Sequence, residues 1–330
     1  MKRKKRGFGI VISWKNGGKG LVLVLFSVAV LLMLSSPLLA VGETDIQTAR
    51  KNGEQLTAGN VSGDGVHYLG LIPSPDVESY PRIMVDEGRD STRLSTSVDL
   101  SSQLPPVGNQ GSQGSCVAWA VSYYYKTWWE KQEHPSWDLT NPYYQFSPSF
   151  MYNQINGGAD EGSTYVDAFS LLENTGDVDI AEMPYYQNDY TTQPTLSQLE
   201  AAKPYRITDD WGYFWNRGTT GPYYNPNDID AVKAWLDDGK MVVFAIPIYN
   251  DFPDYWWNSP EDYYDYNGSS SLSGGHAVCI CGYDDNINPE GSNADHRGGF
   301  KMVNSWGEDW NGSNQGFLYL SYDFVKRYVF

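Results

Sequence analysis

The stretch "NQGSQGSCVAWAVSYYY" places Cys116 where a Gly/Ser/Gln-rich turn gives way to an apolar run, and the chain of 330 residues has only three cysteines. A cysteine at the first turn of a helix faces unpaired N–H groups and the positive end of the helix dipole. Both favour a thiolate, with pKa values of roughly 3.5–7.5 at such sites. A thiolate nucleophile also needs a base and donors for the oxyanion that its attack creates. Of the four histidines, at 67, 134, 276 and 296, only His276 opens an apolar run behind a Gly-Gly turn ("GGHAVCICGY"). Asn304 begins "NSWGEDWNG". An Asn amide oxygen can accept from an imidazole N–H and fix its tautomer, and a tryptophan beside the pair can shield that bond from water. Gln110 lies six residues before Cys116 across a glycine-rich bend, where its side-chain amide can point beside the Cys116 N–H.

Cysteine usage supports a working thiol. Cys279 and Cys281 lie two apart in a strand-like run, with Cα atoms ~6.6 Å apart and side chains poorly aimed for a bridge. No structural disulfide is expected. The N-terminus carries an export signal: a basic start (Lys2–Arg6), an apolar run over 21–34 broken by Pro37, and small residues at Ala40 and Gly42. Residues 1–42 are read as a signal peptide or, if uncleaved, an N-terminal anchor. Their seven basic residues (Lys2, Arg3, Lys4, Lys5, Arg6, Lys15, Lys19) take the formal charge from −17 to −24 when removed. That acidity excludes nucleic acid as a partner and suits a secreted or outward-facing protein. Sequons at Asn60, Asn267 and Asn311 are compatible with export.

The elements that must hold these residues follow from periodicity. Residues 43–95, rich in Gly, Asp, Ser and Thr, read as a linker or short pro-segment with little core of its own. From Thr96 the texture changes, and 96–330 reads as one domain. Val117, Val121, Tyr124 and Trp128 form a helical stripe from Cys116. Ser147-Pro148 opens a helix that Gly157 stops; Thr164 and Asp167 open one that Gly176 stops; Asn227 and Asp230 open one that Gly239 closes. After Gly239 short β-branched and aromatic runs take over, at 241–248, 276–283, 299–304 and 316–321. Helices first and strands afterwards indicate an α+β protein with two lobes. Segments 205–226 and 250–273 are long aromatic-rich insertions.

Gln110, Cys116, His276 and Asn304, in this order and in these contexts, resemble the papain-like cysteine peptidases from about Thr96 onward. "NQGSQGSC", "GGHAV" and "NSWGEDW" carry the resemblance, and "FSPSFMYNQINGG" agrees more loosely. It implies a helical left lobe and a β-rich right lobe with the site in the cleft between them. Cys116 would attack, His276 shuttle the proton, Asn304 orient His276 and Gln110 help hold the oxyanion. Gly162 would pair its backbone with the substrate. Gly275, preceding the histidine, would border the pocket for the second side chain upstream of the cut, with Ser163 and Thr164 on the opposite wall. Trp306 and Trp310 would line the substrate path. Peptides or proteins are the implied substrates, with no cofactor and no metal. The pocket beside Gly275 has no charged floor, so Leu, Phe or Tyr should fit it, unless an inserted aromatic such as Trp256 or Trp257 fills the space. The sequence also departs from the family. Gln113 stands where the family has its other motif cysteine, so that disulfide is gone, and Val117 replaces an aromatic. His276 and Asn304 lie 160 and 188 residues after Cys116, beyond the usual ~130–150. The long helical inhibitory propeptide has no counterpart in 43–95.

Two other readings use the same residues. Twelve Trp and 25 Tyr could serve a non-catalytic surface binding protein on this scaffold. A different Cys-His acyl-transfer enzyme, such as a transglutaminase or a cell-wall amidase, would also need Cys116 and His276. Asp284, Asn286, Asn288, Glu290 and Asp295 are spaced like a calcium loop, but Pro289 stands where that loop needs glycine, so a polar hairpin is expected there.

Overall fold

A computed structural model describes residues 68–74, 79–83, 94–208, 211–214, 227–253, 263–266, 268–287 and 297–329. The segment expected to be an export signal, the sequons at Asn60 and Asn267, His67, His296, Trp256 and Trp257, and the calcium-like loop beyond residue 287 lie outside them. Among the described residues no helix is long and apolar enough to cross a membrane.

One lobe is helical. Its central helix, α1, starts at Cys116 and runs as Cys116–Ala118 in α form, Trp119–Lys126 in π form and Thr127–Glu133 in α form. Everything from Cys116 to Thr127 is buried, so other elements surround this helix. α2 (Pro148–Ile155) begins where Ser147 accepts the Phe150 N–H and Pro148 presets the first φ. α3 (Tyr165–Asn174) begins where Thr164 accepts the Asp167 N–H, and Gly176 turns the chain away at φ +90°. α4 spans Leu196–Ala202 and α5 Asn227–Asp237, after which Gly239 adopts φ +75°.

The other lobe is a six-stranded sheet. Its strands are β1 (Ser97–Asp99), β2 (Val242–Tyr249), β3 (Tyr263–Tyr264), β4 (Leu272–Asp284), β5 (Gly299–Val303) and β6 (Phe317–Ser321), followed by α6 (Tyr322–Tyr328). The order is β1-β4-β5-β6-β3, with β2 paired to β4. The long β4 carries His276 opposite Ile246 of β2 and continues through Cys279 to its pairing with Val303 of β5. Asn304 therefore emerges one residue beyond β5, on the strand adjacent to the one that carries His276. The two lobes share one continuous buried core. All three cysteines are free thiols and all are buried.

Residues 68–83 fall inside the stretch read as a linker, yet their described parts join that core. Leu69, Leu71 and Ile83 are buried, and Tyr80 stacks on Trp211 at 4.2 Å. Asn311 is also buried, its amide donating to the Phe317 carbonyl at 2.7 Å, so this sequon is not presented at the surface.

Candidate active site

The lobes meet where two extended stretches pair. Gln110 N–H donates to the Ser305 carbonyl at 2.8 Å, and Gly307 N–H to the Gly108 carbonyl at 2.9 Å. This pairing brings the turn before Cys116 against the Asn304–Trp306 segment, although nearly two hundred residues separate them. Tyr124 of α1 reinforces it, its hydroxyl accepting from Gly108 N–H at 3.0 Å and donating to the Asn304 carbonyl at 2.7 Å.

Four expected residues converge there, all fully buried. The His276 Nε2 donates to Asn304 Oδ1 at 2.8 Å, which leaves Nδ1 as the nitrogen turned from Asn304. Ser305 N–H donates to the same Oδ1 at 2.8 Å and so fixes the amide that fixes the imidazole. Trp306 lies 4.8 Å from the His276 ring and covers the pair. Gln110 Nε2 donates to the Gln113 carbonyl at 2.8 Å, and its Oε1 accepts from Ser305 Oγ at 2.6 Å. With an acceptor on one side and a hydroxyl on the other, the amide nitrogen is held toward the cleft. The Cys116 thiol lies within reach of the backbone N–H groups of Ala277, next to His276, and of Gly70.

The thiol departs from the expectation of a lowered pKa. Burial pushes it up to about 11, and the backbone donors around it only partly offset that. A strand lies in the cleft beside the thiol. Gln110 Nε2 donates to the Tyr68 carbonyl at 2.9 Å. Leu71 N–H donates to the Gly275 carbonyl at 3.2 Å, Ile72 N–H to Ser163 at 2.9 Å, and Ser163 N–H to Gly70 at 2.8 Å. Leu71 pairs with Ser163 in parallel sense. The walls fit this strand by lacking side chains. A Cβ at Gly275 would lie 2.8 Å from the Leu71 oxygen, and one at Gly162 2.2 Å from the Gly70 oxygen.

The remaining site residues distribute unevenly. The backbone pairing expected at Gly162 is made by Ser163, because the Gly162 N–H is occupied by the Tyr152 hydroxyl at 3.2 Å. Thr164 caps α3. Trp310 sits behind Trp306 at 5.5 Å, fully buried, with Nε1 on the Pro253 carbonyl. That makes Trp310 a support for Trp306 rather than part of a substrate path. His134 stacks on Trp137 at the surface, remote from this group. Gln113, in the position of the missing cysteine, sends Nε2 to the carbonyls of Tyr186, Gln187 and Asp189 at 3.3–3.4 Å. Ser305, the bridging role of Tyr124 and the cleft strand escape a reading of the sequence; the apolar "YLGLI" inside a polar stretch is the signal that could have found the last. Among the described residues no group of three or more His, Cys, Asp or Glu side chains could hold a metal ion.

No family model matches this sequence, and no curated protein matches it either. Solved structures do. Xylellain, a cysteine protease from Xylella fastidiosa, is similar with a TM-score of 0.62 and 22% identity, over 83% of this chain and 94% of that one. The cysteine protease and lectin-like domains of Cwp84, a surface-layer-associated protein of Clostridium difficile, give 0.51 and 18%, over 88% and 57%. Digestive procathepsin L 3 of Tenebrio molitor gives 0.50 and 17%, over 88% and 80%. The chain thus has the α+β two-lobed fold of papain-like cysteine proteases.

Proposed function

We propose that this chain is an exported cysteine endopeptidase, stored in a latent form. The observation that carries the reading is a peptide carbonyl, that of Tyr68, already lying on the Gln110 amide in a cleft that contains Cys116 and the His276–Asn304 pair. In the reaction, Cys116 Sγ attacks the substrate carbonyl carbon and its proton passes to His276. The oxyanion is held by Gln110 Nε2 and the Cys116 N–H. Collapse breaks the C–N bond as His276 returns the proton to the leaving amine. Water, deprotonated by His276, then hydrolyses the thioester and restores the thiol. Asn304 keeps the imidazole in one tautomer and stabilises its cationic form throughout.

The strand in the cleft is no substrate, because it runs the wrong way. In the family that this chain resembles, residues upstream of the cut lie beside the position before the histidine. Here the carbonyl at the Gln110 amide belongs to Tyr68, while the residues that follow it, Gly70 to Ile72, lie along Ser163 and Gly275. The leaving amine of a Tyr68–Leu69 cut would therefore be on the acyl side. We read residues 68–72 as an internal strap that protects the thiol and keeps it protonated until it is displaced.

The test is hydrolysis of a peptide library by the full chain and by Cys116→Ala, before and after limited proteolysis to remove the strap. Turnover that appears on strap removal and is absent in Cys116→Ala supports the reading. Undiminished turnover in Cys116→Ala refutes it.

A further inference from the structure

We propose that Asp160 is a positioning residue, which fixes the spacing between the nucleophile turn and the edge on which a bound peptide pairs; this rests on the peptidase reading above. Gly114, two residues before Cys116, donates its N–H to Asp160 Oδ1 at 2.8 Å. The Tyr152 hydroxyl of α2 donates to the same oxygen at 2.6 Å. That hydroxyl in turn accepts the Gly162 N–H at 3.2 Å. One carboxylate oxygen thus links the turn that carries Cys116 to the residue next to Ser163, whose backbone does the pairing. Burial and the neighbouring Asp160 carboxylate hold the Tyr152 phenol protonated, which keeps it a donor toward Asp160.

The spacing that this clamp fixes is tight. A Cβ at Gly114 would lie 3.2 Å from the Tyr152 oxygen, 3.3 Å from Asp160 Oδ1 and 3.4 Å from the Gly162 nitrogen. A Cβ on the strap's Gly70 would lie 1.7 Å from the Gly114 oxygen, so the strand rests directly on this junction. No disulfide ties the turn, and the Gln113 amide contacts are long, at 3.3–3.4 Å. Tyr185 also holds the turn, at 2.8 Å from both Ser115 and the Gln110 carbonyl, but the charge-assisted bond to Asp160 is what joins it to the Gly162–Ser163 edge.

Hydrogen exchange of the full-length chain tests this in wild type, Asp160→Ala, Asp160→Asn and Tyr152→Phe. Asp160→Ala should speed exchange at Gly114, Gly162, Ser163 and Ile72 by about tenfold, as expected for losing a charge-assisted bond. The β4–β5 amides should not change. Asp160→Asn, whose carbonyl oxygen can accept the same two bonds, should restore most of the protection. Tyr152→Phe should free Gly162 while leaving Gly114 protected. In peptide turnover by the strap-released proteins Asp160→Ala should raise KM about tenfold with kcat held within about threefold, since Asp160 touches neither thiol nor imidazole. Unchanged exchange at Gly162 and Ser163 overturns the proposal, and so does equal acceleration across β4–β5, which would mark a general loss of stability. A strap-released wild-type chain that turns over no peptide refutes the peptidase reading instead, and the exchange comparison still decides the role of Asp160.

Discussion

Replacing Gly70 by alanine should evict the strap. The new Cβ would fall 1.7 Å from the Gly114 oxygen and 2.3 Å from its carbonyl carbon, both backbone atoms that cannot rotate away. The strap has little stability with which to resist. Burying Leu69 and Leu71 contributes about 4 kcal/mol. The four hydrogen bonds to Gln110, Gly275 and Ser163 contribute about 4 kcal/mol more. Ordering residues 68–72 costs about 6 kcal/mol, toward the low end of the per-residue range. A net of about 2 kcal/mol is less than the cost of a backbone clash, so the open state should become dominant. Its population, and with it access to Cys116, should rise about thirtyfold. The assay is the alkylation rate of Cys116 by iodoacetamide, read by peptide mapping, with the melting temperature as a control for folding. An unchanged rate in a folded Gly70→Ala protein would refute the strap as the cover over the thiol.

The remaining expectations follow from the same geometry. Gln110→Ala should lower kcat by ~10²–10³ with KM little changed, as for the loss of one oxyanion donor; an effect confined to KM would remove Gln110 from that role. The Cys116 thiol is an acid whose pKa is raised by burial from 9.0 to about 11, so the covered form is fully favoured below pH 9 and loses that advantage as pH rises through 11. Alkylation of the wild type should therefore climb through the alkaline range, whereas Gly70→Ala should titrate at lower pH; coincident profiles would contradict burial as the cause. Denatured, unreduced protein should titrate three thiols, and a recovered Cys279–Cys281 bridge would contradict the free, buried thiols of β4. With the strap gone, a peptide library should select Leu, Phe or Tyr at the subsite beside Gly275; selection of Arg would reveal an acidic wall there.

Much of this architecture is legible in local residue choices. Ser147-Pro148, Thr164 and Gly176 each act through a bond or a dihedral within a few residues, so the helix ends they mark stand close to where the sequence puts them. The run after Gly239 has the short, β-branched texture of strands, and the sheet uses it as such. Gln110, Cys116, His276 and Asn304 could be singled out because each chemistry tolerates few residue types. What escaped sequence reading depends on partners distant in the chain. A helix N-terminus alone argues for an acidic thiol, but burial in the folded site outweighs it and turns the shift upward. The strap itself is too short to show a period. Trp310 looks like a cleft residue beside Trp306 until Phe252 and Pro253 are seen to enclose it. Asp160 reads as one more acid in a polar loop; only the fold brings Gly114 and Tyr152 to it.

The central claim is that Cys116 is a peptidase nucleophile served by His276 and guarded by residues 68–72. It is tested most directly by treating the strap-released protein with a peptidyl epoxide bearing leucine at the subsite beside Gly275, then mapping the adduct. The account predicts stoichiometric, time-dependent modification of Cys116 alone, lost in His276→Ala and slow in the intact wild type. Modification spread over Cys279 and Cys281, or labelling of Cys116 that is indifferent to His276 and to the strap, would contradict it.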